Sequence, residues 1–293
     1  MQEHHFGPIW FIPGENKGKY PFCHSIYLEG PGILIDPASN RNRLIELKES
    51  PGVEAVWLSH WHEDHFLHLD LFEDVPLFIT QADAPRLLHI EAFLDGYGIG
   101  PEDRDMWRKL AVDMFHFRPR KPNHYLLAGE SPKCGSLRID ILATPGHTPG
   151  NIALHFPNQD VLFVGDYDLT PFGPWYGDVA SSIHQTIQSV NMLRELQATT
   201  ILTSHEQGIF ESPPDNIWDR YLQVIEDRES KLLDVLSTPC SMEEIVNNWI
   251  VYRKPREPLP FYTFAEKALM QKHIEDLMDR GLVTEKDGRY TKR

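Results

Sequence analysis

Short apolar stretches separated by turn residues dominate the hydrophobic pattern of this chain. Residues 53–58, which follow Pro51 and Gly52, have the composition of a short buried strand. Similar patterns predict further strands at 10–12, 25–28, 32–35, 77–80, 137–142, 152–156, 161–164 and 200–204. Helices are predicted at 42–49, 66–72, 82–94, 101–117 and 181–196, the last with apolar residues at helical spacing. The chain is therefore predicted to mix short strands with helices.

Length and charge narrow the classes of function. The chain has 293 residues, 41% of them hydrophobic, so it can form one large domain and a smaller one. Its net charge of −15 argues against broad binding of a nucleic-acid backbone, although a local basic patch is still compatible with it. No apolar run has the ~20 residues of a membrane span, and the N-terminus lacks the pattern of a signal peptide. Cys23, Cys134 and Cys240 have no paired spacing, so we expect a reducing, cytoplasmic location.

The densest cluster of candidate metal ligands follows the predicted strand 53–58. His60, His62, Asp64 and His65 lie within six residues, and imidazole and carboxylate are preferred ligands of zinc-like divalent ions. In an extended segment His60 and His62 project to the same side. Isolated surface histidines are the alternative, but so dense a cluster favours a metal site.

Other candidate ligands also follow predicted strands. His147 lies in Thr-Pro-Gly-His-Thr-Pro-Gly, where two prolines and two glycines indicate a rigid loop. Asp166 and His205 follow the strands predicted at 161–164 and 200–204. Asp36, at the end of another strand, either caps a turn or orients a ligating histidine. His68 shares a helix face with His65 and is interpreted as a supporting or surface residue.

Together these motifs resemble the metallo-β-lactamase superfamily over roughly residues 8–213. The resemblance implies an α/β fold, a four-layer αββα sandwich, at 1–213. A small, mostly helical, winged-helix-like C-terminal domain would occupy 214–293, as in a subgroup near glyoxalase II and the lactamase-like endoribonuclease. The predicted strands agree with this fold.

The resemblance also assigns the ligands of two divalent ions, of which zinc is the expected species and iron or manganese the alternatives. His60, His62 and His147 would hold the first ion, Asp64, His65 and His205 the second, and Asp166 would bridge them. Such a pair shares a bridging hydroxide at neutral pH. Asp64 would also be catalytic, because it can orient that hydroxide and return a proton to the leaving group.

The C-terminal segment is predicted to contain helices at 215–236 and 263–280, with a capping box opening another at 241–244. A hairpin-like end follows at 282–291. The last helix mixes acidic and basic residues, which favours a lid or dimer element over a nucleic-acid reader. Four cationic residues keep the nucleic-acid alternative open: Lys286, Arg289, Lys292 and Arg293.

Aromatic residues near the candidate ligands are the candidate substrate contacts. Trp175 and Tyr176 follow Asp166 and are candidate substrate-binding walls, with core packing as the alternative for both. The helices at 82–94 and 101–117 are predicted to cover the site, with Tyr97, Trp107, Phe115 and Phe117 as further candidate walls. The leading hypothesis is a dinuclear zinc hydrolase of a small acyl ester, either a thioester or a lactone. The alternatives are a metal-dependent endoribonuclease or phosphodiesterase, an iron-dependent sulfur dioxygenase and, least favoured, a non-catalytic interaction protein. The expected partner is a small molecule, and a homodimer is the assembly to test.

Overall fold

A seven-stranded sheet forms the first half of the fold in the computed structural model, which describes residues 2–214 and 216–293. Its strands follow chain order across the sheet: β1 (His4–Phe6), β2 (Ile9–Ile12), β3 (Ser25–Leu28), β4 (Ile33–Ile35), β5 (Ala55–Trp57), β6 (Leu77–Thr80) and β7 (His124–Leu126). The pairings from β1 to β4 are antiparallel, and those from β4 to β7 are parallel.

A small hairpin of β8 (Lys133–Cys134) and β9 (Leu137–Arg138) precedes a five-stranded sheet. The strands of this second sheet are β10 (Asp140–Ala143), β11 (Ile152–Phe156), β12 (Val161–Phe163), β13 (Thr200–Leu202) and β14 (Ile209–Glu211). Only β12 and β13 pair in parallel, because the chain between them includes a crossover helix.

The inner core lies between the two sheets, as the alternation of side chains requires. In β4, Ile33 and Ile35 face the second sheet, whereas Leu34 faces outward to the helices. In β12, Val161 and Phe163 face inward in the same way. Central strands such as β3, β4 and β12 are buried on both faces, which explains their continuous apolar sequences.

Helices cover the outer face of each sheet. The first sheet is covered by α1 (Arg41–Leu47), α2 (Pro85–Leu88), α3 (Ile90–Tyr97) and α4 (Arg104–Asp113). The second sheet is covered by α5 (Ile183–Arg194) and the beginning of α6 (Ile217–Val235). The order is therefore helices, sheet, sheet, helices, which confirms the predicted four-layer αββα sandwich.

The C-terminal region contains the rest of α6, α7 (Met242–Val246), α8 (Leu259–Asp279) and the hairpin of β15 (Val283–Lys286) and β16 (Arg289–Lys292). It has its own apolar cluster around Leu232, Ile245 and Ile274. The predicted capping box is present: Glu244 N donates to Ser241 Oγ, and Ser241 N donates to the Glu244 carboxylate. Asp215, predicted to start the first of these helices, lies outside the described residues.

Three predicted elements differ from the structure in kind or continuity, and the helix predicted at 101–117 is shorter, Arg104–Asp113. The helix predicted at 82–94 is divided at His89, whose backbone is extended and whose Nδ1 accepts from Ala92 N to cap α3. At 66–72 only a 3₁₀ turn forms, Leu69–Phe72. The strand predicted at 137–142 is split because its two halves pair with different strands, β8 and β11.

Within residues 2–214 and 216–293, no helix combines the length and apolar character needed to cross a membrane.

Candidate metal centre

The histidine-rich segment follows β5 and turns back sharply at the edge of the sandwich. His65 N donates to His62 O at 3.1 Å, so the segment is a turn and not an extended strand. Its candidate ligands are all buried: His60, His62, Asp64 and His65. Because β5 is a parallel strand, its carboxyl end delivers these side chains to the same edge as the ends of neighbouring strands.

The structure brings all seven predicted ligand side chains together. These side chains form two groups, and within each group the candidate metal-binding atoms lie within 4.8 Å of one another. The first group is His60, His62 and His147, and Asp166 lies within the same distance of it. The second group is Asp64, His65 and His205.

Asp166 lies between the two groups and presents one carboxylate oxygen to each. Its Oδ2 is 3.3 Å from His147 Nε2 and 3.9 Å from His60 Nε2. Its Oδ1 is 2.8 Å from His65 Nε2 and 3.3 Å from His205 Nε2. This is the arrangement that a carboxylate bridging two cations requires.

The inward-facing nitrogens of the first group are very close together. His147 Nε2 is 3.1 Å from His60 Nε2 and 3.0 Å from His62 Nδ1. When these nitrogens are unprotonated, as metal ligands must be, they repel one another at this distance unless a cation lies among them. Three imidazoles bound tetrahedrally to zinc have nitrogens about 3.3 Å apart, so the group fits such an ion.

Outer hydrogen bonds determine which ring nitrogen is free. His147 Nδ1 is 3.0 Å from Trp175 O, and His205 Nδ1 is 2.6 Å from Gly18 O. A carbonyl only accepts, so each Nδ1 carries a proton and Nε2 is the nitrogen left to bind a metal ion at the centre. This orientation of metal-binding rings by an outer acceptor is typical of protein metal sites.

Carboxylates orient two further rings. His62 Nε2 donates to Asp178 Oδ2 at 2.7 Å, and His65 Nδ1 donates to Asp36 Oδ2 at 3.0 Å. Asp36 also accepts from the Ser59 hydroxyl at 2.7 Å. Of the two roles considered for Asp36, the structure therefore shows the hydrogen bond to a candidate ligand.

Two buried atoms in the centre have no hydrogen-bond partner among the described residues. His65 Nε2 and Asp166 Oδ1 are 2.8 Å apart, but their geometry does not make a hydrogen bond. Leaving buried polar atoms unpaired costs about 1–3 kcal/mol each. Coordination of a cation removes that cost, so these atoms fit a metal ion as well.

The loop that carries His147 is rigid for identifiable reasons. Asp83, itself buried, accepts from Thr148 Oγ1 at 2.6 Å and from Gly150 N at 2.7 Å. Gly146 has φ +127°, and a Cβ there would lie 2.3 Å from Thr186 N. Only glycine fits at this position, which explains the Pro-Gly-His sequence.

Burial and neighbouring charges have opposite effects on the pKa values of the side chains in this site. Burial opposes protonation of His62, but the Asp178 carboxylate outweighs it and raises the pKa of His62 to about 9. Burial likewise opposes protonation of His205, yet Asp166 and Asp168 raise its pKa to about 10. For Asp166, burial favours the neutral acid, but His65 and His205 hold its pKa well below the ordinary value. Metal binding therefore has to displace protons from rings that the carboxylates stabilise as cations.

A cavity of about 490 Å³ opens onto the centre. His62, Asp64, Asp166 and His205 lie on its floor. Rings contributed by separate parts of the chain form what we call the aromatic wall: Tyr20, Tyr97, Trp107, Trp175, Phe261 and Phe264. Trp107 of α4 packs against Phe264 of α8, with ring centroids 5.2 Å apart, so the wall connects the sandwich with the C-terminal region.

Of the two predicted substrate-binding residues, one lines the cavity and the other does not. Trp175 lines the cavity, but Tyr176 is fully buried and its hydroxyl lies 2.9 Å from His273 Nε2. Tyr176 is therefore directed toward α8 and does not line the cavity. Tyr97 and Trp107 line the cavity as predicted, whereas Phe115 and Phe117 are buried in apolar clusters away from it.

His68 belongs to a smaller group outside the cavity, with Asp70 and His116. Arg41 occupies both oxygens of Asp70, at 2.9 and 2.6 Å. A guanidinium already neutralises this carboxylate and would repel a cation, so we interpret the group as structural.

Several supporting residues had no signal in the sequence. Asp178 orients His62 from 116 residues away, and no motif around it predicts that contact. Glu63 was within the motif but unassigned, and it accepts from the hydroxyls of Tyr20 and Tyr97. Phe261 and Phe264 reach the cavity only through the packing of α8.

Comparison with known proteins agrees with this fold and site. The profile of the Metallo-beta-lactamase superfamily matches residues 21–205, which include all seven candidate ligands. The structure is similar to the metallo-beta-lactamase family protein TTHA1429 of Thermus thermophilus, with a TM-score of 0.73 and 22% identity over 97% of this chain and 98% of that one. The chain belongs to the metallo-beta-lactamase superfamily and is a hydrolase of that superfamily.

Curated relatives are similar at modest identity. A hydroxyacylglutathione hydrolase of Thermosynechococcus vestitus is 26% identical over 236 residues, 75% of this chain and 79% of that protein. The acyl-coenzyme A thioesterase MBLAC2 of Gallus gallus is 27% identical over 145 residues, 48% of this chain and 47% of that protein. Three other relatives are matched over only 56–59% of their own length.

Proposed function

We propose that this protein is a dinuclear metal-dependent hydrolase of a small acyl ester, with a thioester or lactone as substrate. One observation carries the proposal: Asp166 directs its two oxygens to two separate groups of candidate ligands. Zinc is the proposed ion, because imidazole and carboxylate donors with outer hydrogen bonds suit it. Iron and manganese are the alternatives for the same donor set.

The first and second groups and Asp166 would hold the two ions. Bound there, divalent ions supply hydroxide at neutral pH and polarise the oxygen of the ester under attack. Asp64 borders the cavity, with Oδ2 3.6 Å from His205 Nε2. It therefore lies where a carboxylate can hold the attacking water in place and return a proton to the leaving group.

The cavity supports an acyl substrate with an apolar part. Its aromatic wall gives an apolar surface beside a polar floor, a combination typical of small-molecule sites. Trp175 is a proposed substrate contact beside the first group, since its backbone carbonyl accepts from His147. Lys19 and Arg256 also line the cavity, and they offer cationic contacts to an anionic leaving group.

The names of two relatives favour a thioester within this class. One is called a hydroxyacylglutathione hydrolase and the other an acyl-coenzyme A thioesterase. Both names describe hydrolysis of a thioester whose thiol part carries negative charge. The cations that line the cavity are consistent with such a thiol.

We propose that the C-terminal region completes the substrate cavity. Phe261, Tyr262 and Phe264 of α8 line this cavity. Such a position suits a lid better than a nucleic-acid-binding element. In the terminal hairpin, Arg289 donates to Pro239 O and pairs with Glu244 at 2.8 Å. This engagement reduces the free positive charge available to a phosphate backbone.

A substrate panel on metal-quantified protein tests the proposal. Chromogenic thioesters, lactones and phosphodiesters are assayed with the wild type and with His60→Ala. We expect hydrolysis of a thioester or lactone by the wild type and its near-complete loss in the variant. Unchanged hydrolysis in His60→Ala would refute the metal-dependent mechanism.

The same panel separates the alternatives. Hydrolysis confined to phosphodiesters, with salt-dependent binding of single-stranded RNA, would replace the acyl hydrolase by a nuclease. Iron content together with oxygen consumption would replace it by a dioxygenase. A colourless, zinc-loaded protein that consumes no oxygen would exclude the iron alternative.

A further inference from the structure

Arg228 of α6 is a buried charge that the proposed chemistry does not use. It is 3% exposed, and among the described residues it makes no ion pair with a carboxylate. Instead its guanidinium donates to Phe172 O at 2.6 Å, Pro174 O at 3.1 Å and Tyr176 Oη at 3.0 Å. A buried guanidinium is costly to maintain, so its contacts with one loop call for an explanation. We call this segment the 172–178 loop.

The last helix holds the same loop from a second side. A guanidinium can only donate, so the Tyr176 hydroxyl accepts from Arg228 and donates its own proton to His273 Nε2 at 2.9 Å. Lys272 Nζ donates to Val179 O at 2.6 Å, just beyond the loop. Gly173 makes the close approach to α6 feasible, because a Cβ there would lie 2.7 Å from the Val224 side chain.

The opposite side of the loop contacts the metal centre. Trp175 O accepts from His147 Nδ1 at 3.0 Å. Trp175 Nε1 donates to Asp178 Oδ1 at 3.1 Å, and Asp178 Oδ2 accepts from His62 Nε2 at 2.7 Å. Two of the three rings in the first group are therefore oriented by a segment that α6 and α8 hold in place.

The second group depends on other parts of the chain. His65 is oriented by Asp36 after β4, and His205 by the carbonyls of Gly18 and Phe22. None of these partners contacts Arg228. The contacts that Arg228 makes are thus separate from the support of the second group. The two groups are joined by Asp166 and by Asp36, which accepts from Ser59 Oγ, 3.0 Å from His60 Nδ1.

We propose that Arg228 is a positioning residue of the first metal position. Through the 172–178 loop it holds the acceptors of His62 and His147, so the C-terminal helices determine how tightly the first group binds a cation. Loss of an outer partner of a metal-binding histidine typically weakens metal affinity by about tenfold to a hundredfold. The proposal rests on the proposed metal site, but it concerns affinity and not turnover.

The test uses the full chain, stripped of metal and titrated with zinc against a chromophoric chelator. The two binding steps are assigned with His62→Ala and His205→Ala. In Arg228→Met we expect the step of the first group to weaken by about tenfold or more, and the step of the second group to change by less than about twofold. A general loss of structure would weaken both steps.

Two further variants make the result specific. Tyr176→Phe removes the link to His273 but leaves the two carbonyl contacts of Arg228, so a smaller effect on the same step is expected. Arg280→Met removes the ion pair of Arg280 with Glu229 between α8 and α6 without touching the loop, so neither step should change. If Arg228→Met does not fold, Tyr176→Phe decides the question.

The outcomes distinguish this inference from the proposed function. Two unchanged steps in a folded Arg228→Met, or equal weakening of both, would overturn the positioning role alone. Absence of metal binding in the wild type would overturn both proposals. Two metal-binding steps without hydrolysis of any acyl ester would overturn only the proposed function.

Discussion

The floor and the aromatic wall of the cavity differ in origin. The floor is built from residues that follow strand ends of the sandwich, all within the segment matched by the superfamily profile. The wall combines Tyr97 and Trp107 from helices over the first sheet with Phe261 and Phe264 from α8. The floor carries the groups that suit the proposed chemistry, and the wall carries the surface that would select a substrate. This difference predicts that substitutions in the two parts affect different kinetic constants.

The largest expected effect is on the floor. Asp166→Ala removes the one side chain shared by both ligand groups, so we expect hydrolysis to fall by about a thousandfold or more, a loss at least as large as that of a single oxyanion-hole donor. The zinc content should fall at the same time. Asp70→Asn, in the group neutralised by Arg41, is the matched control and should keep full activity. An Asp166→Ala variant with half the wild-type rate would contradict the account.

The next effect concerns the support of the floor. Asp178→Ala deprives His62 of its acceptor, so the zinc affinity of the first group should drop by about tenfold to a hundredfold. The chelator titration described for Arg228 measures it. The drop should exceed that of Arg228→Met, because Asp178 contacts the ring directly. Equal weakening of the second group would show that the two supports are not separate.

A smaller effect is expected in the wall. Phe264→Ala removes apolar contact with substrate, so KM for a thioester with a large acyl group should rise about tenfold, the equivalent of ~1.4 kcal/mol. The kcat should stay nearly constant, because such contacts are equal in ground and transition states. An acetyl thioester, too small to reach the wall, is the control. A fall in kcat for both substrates would assign Phe264 to the chemistry or to folding.

The last effect concerns stability and not activity: a pH dependence at the contact between the 172–178 loop and α8. Burial, with Arg228 and Arg280 nearby, lowers the pKa of His273 to about 3, below its value of about 6.5 in an unfolded chain. Between these values the unfolded chain binds a proton that the folded protein does not, so stability is lost as pH falls. The contribution of this residue is about 1.4 kcal/mol per pH unit. His273→Gln should therefore flatten the acid side of the curve of unfolding free energy against pH. Identical slopes for the wild type and the variant would contradict a buried, neutral His273 ring.

The floor could be predicted from sequence because its residues lie in short motifs at strand ends. His60, His62, Asp64 and His65 occupy one turn, and the rigid sequence around His147 identifies it as an unusual loop. The strands themselves were predictable from apolar runs, since both faces of each sheet are buried. The strands β1, β7 and β14 were not predicted, because they are three-residue segments with polar or mixed composition.

The wall and the outer support could not be predicted in the same way. Trp175 and Tyr176 are adjacent aromatic residues, and only the tertiary structure shows that one lines the cavity and the other contacts α8. Phe115 and Phe117 have the same composition signal as Trp107 but lie in apolar clusters. Asp178 and Arg228 act through contacts between distant parts of the chain, for which a single sequence carries no local signal.

The central claim is that seven side chains form one site for two metal ions. The most direct measurement is the number of zinc ions bound per chain when metal-stripped protein is titrated, with thioester hydrolysis followed in the same samples. The account predicts two ions per chain, with full hydrolysis only when both are bound. A protein that binds no zinc, or that hydrolyses its substrate equally well without it, would contradict the account.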